Sequence, residues 1–292
     1  MVEWGSAALT LGSFRVLFLV SATALLHHTY QRYVLYHTTT ARENWNMEVV
    51  YERPSTMIAT ASVGFCPGCL HSAAHKVFAE VIEELGIINE TSFCYGIGCA
   101  GIGRAWAEWD AFSAPHGRAC AVASAYKRTN PNEIIATYQG DGDLASIGIA
   151  ETIYAANRGE NFTVLFINNS TYGMTGGQMA PTTLVGQKMS TAPYGRKPEE
   201  HGYPLDMCKM LNTLKAPYYL ERVTCMDAPG VLKAKAAVKK ALTYQMEGKG
   251  FTLVEFMSNC PTNWGMTPLE TLDYMRDHTL KEFPLGVYRD NG

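Results

Sequence analysis

Basic residues never gather in this sequence. Its 24 Lys and Arg are scattered along 292 residues and outnumbered by 27 Asp and Glu, for a net charge of −3. Without a cationic stripe or patch, nucleic acid and a polybasic hold on a membrane surface are set aside. A long apolar run is missing as well. Residues 11–26, LGSFRVLFLVSATALL, are interrupted by Arg15 and fall short of the roughly 20 residues that span a bilayer. The opening MVEWGSAALT carries Glu3 where a secretory signal has its basic start, and no small-residue cleavage site follows. Residues 1–46 therefore read as an N-terminal extension upstream of the folded domain, consistent with a start assigned too early. A membrane-associated helix is the alternative, and mass spectrometry of the native N-terminus separates the two. There is no internal repeat and no low-complexity segment, which leaves an ordinary globular core as the expectation.

What is present suits such a core. Hydrophobic residues make up 47 % of the chain, enough for one large α/β domain or two small ones. From Met47 onward helical and strand patterns alternate. Residues 71–86 place Ala74, Val77, Phe78, Val81, Ile82 and Leu85 at helical spacing and stop at Gly86. Residues 92–103 begin as a strand and break into glycines. Residues 116–130 read as a helix of small residues, 133–139 as a short buried strand, 143–157 as a helix and 162–168 as another buried strand. The segment 169–204 is long and rich in Gly, Thr and Pro, and long loops in compact domains are usually functional. After it come a short helix near 205–214, a strand over 217–223 whose aromatics belong to the core, a helix over 228–245 and a strand over 251–257. Strands alternating with helices predict an α/β fold, a parallel sheet flanked by helices on both faces.

The segment GDGDLASIGIAETIYAANRGENFTVLFINN, residues 140–169, sets an acid between two glycines and ends on paired asparagines one helix and one strand later. A strand ending in Gly140-Asp141-Gly142 puts that turn at the carboxyl edge of a parallel sheet, where open α/β sheets bind ligands. The glycines let backbone approach a ligand closely, and the N-terminus of the next helix favours phosphate. Asp141 offers a hard oxygen for Mg²⁺, which takes one or two carboxylates alongside phosphate oxygens. Asn169 follows by 28 positions, the length of one helix and one return strand, and so arrives beside Asp141 with a second side-chain oxygen. By itself GDG is an ordinary turn and NN an ordinary strand-end cap. Together at this spacing, with NSTYGMTGGQ after them, they point to a metal-bridged diphosphate.

The eight cysteines are Cys66, Cys69, Cys94, Cys99, Cys120, Cys208, Cys225 and Cys260. A secreted protein would pair an even number; in a long, core-rich chain, metal or redox use in a reducing compartment, the cytoplasm, is the expectation. In FCPGC (65–69) a tight turn can aim Cys66 and Cys69 at one metal, although thioredoxin-like pairs, zinc sites and iron–sulfur clusters share the spacing. Cys99 in YGIGCAG and Cys260 in SNCPTNW each follow a strand, where side chains converge. Cys94 competes with Cys99 but sits within its strand as a small buried apolar residue. Cys120, Cys208 and Cys225 fall in helix or strand patterns and read as structural. His71 and His75 lie four apart on a helix, a metal spacing without an evident third ligand, and read as packing or surface residues. His116 and Arg118, in PHGRACA, stand at a predicted helix start. There they could meet a substrate carboxylate or the cofactor, or His116 could make only local hydrogen bonds.

GDG followed by NN at this distance resembles the thiamine diphosphate motif, and NNSTYGMTGGQMAPTT (168–183) is similar to the β subunit of 2-oxoacid:ferredoxin oxidoreductases. The resemblance runs from about Met47 to the C-terminus and leaves out residues 1–46. It implies a thiamine-diphosphate- and iron–sulfur-binding domain over 47–292. By position it makes Asp141 and Asn169 side-chain ligands of Mg²⁺ and adds the backbone carbonyl of Thr171. Gly140, Gly142, Asp143, Ser170, Tyr172, Gly173 and Met174 would line the diphosphate and thiazolium, with Gly176, Gly177 and Gln178 shaping the loop. It assigns Cys66, Cys69, Cys99 and Cys260 to a 4Fe–4S cluster beside the cofactor, zinc being the alternative. It also includes the HGR segment, which makes His116 and Arg118 candidate catalytic residues.

The reaction it implies is coenzyme A-dependent oxidative decarboxylation of a 2-oxoacid to acyl-CoA and CO2, with electrons passing through the cluster to ferredoxin. The carboxylate that activates the aminopyrimidine is not identifiable in this chain. In the family it comes from the α subunit, so the resemblance implies a hetero-oligomer with α and ferredoxin-like γ and δ subunits. Segments 47–54, 138–148, 176–188 and 260–268 look most like the 2-oxoisovalerate branch; pyruvate and 2-oxoglutarate stay open because a partner builds part of the pocket. Two rivals differ in class. A non-oxidative thiamine enzyme would keep GDG and NN without four converging cysteines, and usually carries the activating glutamate domain in one longer chain. A zinc-stapled structural subunit would keep the cysteines without GDG or NN.

Overall fold

A computed structural model of the chain describes residues 52–59 and 64–292; the expectation for residues 1–46 lies outside them. Along the described chain, Val, Ile, Phe and Thr concentrate in short runs buried on both faces, as the central strands of a parallel sheet require. The strands are β1 (Thr91–Tyr95), β2 (Asp110–Ser113), β3 (Ile134–Gly140), β4 (Thr163–Asn168), β5 (Thr171–Tyr172), β6 (Gln178–Met179), β7 (Tyr219–Thr224), β8 (Thr252–Met257) and β9 (Gly286–Asp290). Seven of them form one sheet in the order β2-β1-β3-β4-β8-β7-β9, and β5 and β6 make a separate two-stranded hairpin. Every neighbouring pair in the large sheet is parallel except β7–β9.

Side chains alternate across this sheet. Ala136, Tyr138, Leu165, Ile167, Val254 and Phe256 face one layer, with helices α1 (His71–Leu85) and α5 (Ala228–Met246) packed over them. Phe78 of α1 meets the rings of Tyr138 and Phe256 edge-on, at centroid distances of 5.1 and 5.4 Å. Ile135, Val164, Phe166 and Leu253 face the other layer, covered by α2 (Ala119–Thr129), α3 (Ile149–Asn157) and α4 (Met207–Asn212). Tyr219 of the 217–221 aromatics is in the core, as expected.

The order of strands positions the site. The chain runs from β1 out to β2, then returns to the other side of β1 for β3; later β8 inserts between β4 and β7. The carboxyl ends of β1, β3, β4 and β8 therefore stand side by side in the middle of the sheet, where such reversals open a crevice.

Several local expectations change. The predicted helix over 116–130 begins only at Ala119, because Gly117 takes a φ of 79° and turns the chain. That over 143–157 divides into a π turn, Gly142–Ile147, and α3. There Gly148 packs on Gly117, and a methyl group on Gly148 would lie 2.4 Å from the Gly117 carbonyl oxygen. Edge strands β2 and β9 are additions, as are short helical turns between 261 and 282. Among the described residues no helix is long and apolar enough to cross a membrane.

Candidate functional site

Loops from four strands meet at this edge. After β3, Asp141 is buried at the start of the π turn. Its Oδ1 accepts from the Gly142 N–H at 2.9 Å, and its Oδ2 from the Thr171 N–H at 3.0 Å and the Thr182 hydroxyl at 2.6 Å. After β4, Asn169 brings its Oδ1 to the same Thr171 N–H, at 3.3 Å. The carboxylate and the amide oxygen thus share one backbone donor, the arrangement that a joint grip on one cation needs. Burial pushes the Asp141 carboxyl from 3.8 up to about 7, although its hydrogen bonds pull the other way. None of the ion pairs among the described residues includes it. A buried carboxylate with only neutral donors, flanked by an amide oxygen, is relieved by a hard divalent ion.

The turn after β4 is strained. Ser170 has a φ of 58°, left-handed for a residue with a side chain, and its buried hydroxyl oxygen has no protein partner. Gly142 leaves no room for a side chain: a methyl group would lie 2.3 Å from the Tyr172 ring. Over Gly98 and Gly140 the space is open. Such bare backbone beside an orphan hydroxyl and a buried carboxylate fits a metal diphosphate.

Nine of the ten residues expected to line the cofactor border one cleft; Ser170 lies buried behind it. Asp143 is anchored beneath by Gln139 Nε2 at 2.6 Å, Gly117 N at 2.8 Å, Ile97 N at 3.3 Å and His116 Nδ1 at 2.5 Å. A carboxylate only accepts, so His116 donates from Nδ1, the tautomer whose free lone pair is on Nε2. His116 borders the cleft, with its ring edge-on to Tyr172 at 6.5 Å. Arg118 does not border it; its guanidinium, half exposed, pairs with Glu151 of α3.

Four of the cysteines stand near the cleft and four lie within the core. Cys66 and Cys69 close a turn, with the Cys69 N–H on the Cys66 carbonyl at 3.1 Å, just ahead of α1. Cys99 opens a 3₁₀ turn after β1, and Cys260 precedes the short helix Pro261–Trp264 after β8. Burial, with the nearby thiols of Cys260, Cys99 and Cys66 adding, pushes Cys69 up to about 12. Burial likewise pushes Cys99 up to about 11, with Cys260, Cys66 and Asp141 adding. Each thiol of the quartet is thus within electrostatic reach of the others. A methyl group on Gly173 would lie 3.2 Å from Cys99 Sγ and 3.7 Å from Asn169 Nδ2. The Cys99 sulfur and the Asn169 amide therefore stand on the same glycine. Among the described residues no three His, Cys, Asp or Glu side chains close on a point that a single ion could fill. Cys94, Cys120, Cys208 and Cys225 are buried in the core, and all eight thiols are free.

His71 and His75 are packing residues. Burial holds them down to about 3 and about 4, and His71 Nδ1 lies 2.6 Å from the Tyr138 hydroxyl. Three participants escaped the sequence reading. Thr182 holds Asp141, Gln139 holds Asp143, and Asn263 donates to Cys260 Sγ at 3.2 Å and to the Gly173 carbonyl at 2.7 Å. Each lay inside a segment already singled out, and each adds a polar side chain that a core position or an ordinary turn would not need.

A sheet whose GDG and NN loops meet over a buried carboxylate marks the diphosphate-binding domain of a thiamine-dependent enzyme. Residues 96–256 match the thiamine pyrophosphate enzyme family, C-terminal TPP binding domain. The chain is 44 % identical over 245 residues to ketoisovalerate oxidoreductase subunit VorA of Methanothermobacter marburgensis, covering 84 % of this chain and 51 % of that one. It is 34 % identical over 222 residues to 2-oxoglutarate synthase subunit KorB of Methanocaldococcus jannaschii, covering 74 % and 78 %. It spans about half the length of the VorA relatives. A solved 2-oxoglutarate:ferredoxin oxidoreductase from Magnetococcus marinus, with 2-oxoglutarate, coenzyme A and succinyl-CoA bound, aligns with a TM-score of 0.69 at 25 % identity, over 87 % of this chain and 89 % of that one. The chain belongs to the 2-oxoacid:ferredoxin oxidoreductase family of thiamine pyrophosphate enzymes.

Proposed function

We propose that this chain is the thiamine-diphosphate-binding β subunit of an oxidoreductase that converts a 2-oxoacid and coenzyme A to acyl-CoA and CO2, with ferredoxin as electron acceptor. The observation that carries the reading is the shared wall at Gly173, with a metal-site amide and a quartet thiol both against it. Asp141, Asn169 and the Thr171 carbonyl hold Mg²⁺, and Cys66, Cys69, Cys99 and Cys260 hold a 4Fe–4S cluster. The domain begins near Met47; the described residues from Ser55 onward form one compact unit. Eight free thiols suit the cytoplasm.

Thiamine diphosphate, once bound, supplies the electron sink for loss of CO2 from a 2-oxoacid, and the cluster would carry single electrons outward. The chain's own residues orient and insulate. The backbone of Gly140 and Gly142 receives the diphosphate, and Tyr172 and Met174 form an apolar wall at the mouth. His116, its tautomer fixed by Asp143, offers Nε2 as a proton acceptor at the cleft. Arg118, paired with Glu151 away from the cleft lining, is left without a direct role in the reaction.

Higher identity to the ketoisovalerate relatives than to the 2-oxoglutarate ones supports 2-oxoisovalerate as the substrate. The relatives' names as subunits support partner subunits, which we take to be α, γ and δ. The test is a panel of 2-oxoacids, assayed with a low-potential dye on the complex co-expressed with its partners. 2-Oxoisovalerate should be turned over fastest; a preference for pyruvate or 2-oxoglutarate would reassign the branch, and oxidation by the isolated chain would contradict the need for partners. Anaerobically purified protein should be brown, with iron and sulfide near one to one, whereas stoichiometric zinc without iron would end the cluster assignment.

A further inference from the structure

Behind the cleft lies a run of buried polar side chains that the reaction does not use. Arg222 on β7, Glu255 on β8 and Asn168 on β4 stand on three neighbouring strands, and all three are buried. Arg222 Nε donates to Glu255 Oε2 at 2.9 Å, while its Nη2 pairs with Asp206. The rings of Phe283 and Tyr288 cover the guanidinium, with centroids 5.3 and 4.8 Å away. Glu255 turns its other oxygen, Oε1, to Asn168 Nδ2 at 2.8 Å. Asn168 Oδ1 in turn accepts from the Ser170 N–H at 3.3 Å, at the one non-glycine residue described with a left-handed φ. A buried ion pair is a poor source of stability, since apolar residues of similar volume do as well or better, so core filling does not account for this trio.

The chemistry of the chain of contacts does. A carboxylate has only acceptors, so Glu255 admits the Asn168 amide in one orientation, Nδ2 inward and Oδ1 toward Ser170. Arg222 fixes which way the carboxylate faces. We propose that Glu255, aimed by Arg222, is a positioning residue: it sets the Asn168 amide, which holds the Ser170 turn and so presents Asn169 and Thr171 to the metal. The consequence for cofactor rests on the function proposed above; the control of the turn does not.

Three variants of the full chain test it. Glu255→Gln keeps its oxygen on Arg222 and turns an NH2 toward Asn168, which flips and sets a donor against the Ser170 N–H. Asn168→Asp sets two carboxylates face to face. The double variant restores a donor and an acceptor at every link, with the negative charge moved one residue along. In the ligand-free protein, hydrogen exchange over 168–172 should quicken in each single variant and return toward wild type in the double. Affinity for thiamine diphosphate with Mg²⁺ should fall roughly tenfold in each single variant, as for one lost hydrogen bond, and recover in the double. Wild-type exchange in both single variants, or a double variant no better than either, overturns the proposal. If wild type binds no thiamine diphosphate while the exchange pattern holds, the cofactor reading fails and the positioning of the turn stands.

Discussion

Asp141 carries a buried carboxyl at the cleft, and its replacement separates the two proposed cofactors. Its carboxyl is buried against neutral donors only, so removing it relieves the ligand-free chain while abolishing the hard oxygen for the metal. The Asp141→Ala protein is expected to lose the thermal stabilisation that wild type gains from Mg²⁺ and thiamine diphosphate, yet to keep its iron and sulfide. Loss of iron together with thiamine diphosphate would mean that the two sites do not form independently. His75 governs a different property. Burial holds it at about 4, against 6.5 for an ordinary histidine. Below 6.5 the unfolded chain takes up a proton that the folded chain refuses, so this contribution is complete above 6.5 and is lost as pH falls toward 4. By pH 5 the loss amounts to about 2 kcal/mol. Denaturant titrations at pH 7 and pH 5 should show wild type losing more stability than His75→Phe by about that amount; parallel losses would contradict it.

At the scale of elements, the long loop behind Asp141 is ordered by one cation. Arg196, buried, donates to six backbone carbonyls between residues 180 and 203. That pins the stretch from which Thr182 reaches Asp141 and Thr183 reaches the Ser170 carbonyl. Arg196→Met leaves those carbonyls without their donor, at a cost on the order of 3 kcal/mol or more. Limited proteolysis should then cut within 180–204 at protease levels that spare wild type; equal resistance would show that the loop holds itself. None of this was legible in the sequence, where a lone arginine in a glycine-rich loop looks solvent-exposed. The central strands were legible because burial on both faces leaves continuous apolar runs, as in Thr163–Asn168. The edge strands were not, since Asp110–Ser113 is largely exposed and carries no such run. The start of α2 was displaced because a positive φ at Gly117 does not show in composition.

For the whole molecule, the chain order and the sheet order together bring Cys99, Asp141, Asn169 and Cys260 to one edge from four strands. The pairing of GDG with NN was readable because one βαβ unit links them. The links through Thr182, Asn263 and Glu255 were not, because they join positions tens of residues apart that only the folded sheet brings together. The chain spans about half the length of the VorA relatives, and turnover is proposed to need partner subunits. Cofactor binding, by contrast, is assigned to the carboxyl edge of this sheet alone. Isothermal titration of the full chain with thiamine diphosphate, in Mg²⁺ and again in chelator, tests that assignment most directly. One equivalent bound in Mg²⁺ and none in chelator is the predicted result; no binding in excess Mg²⁺, or binding indifferent to the metal, would contradict the account.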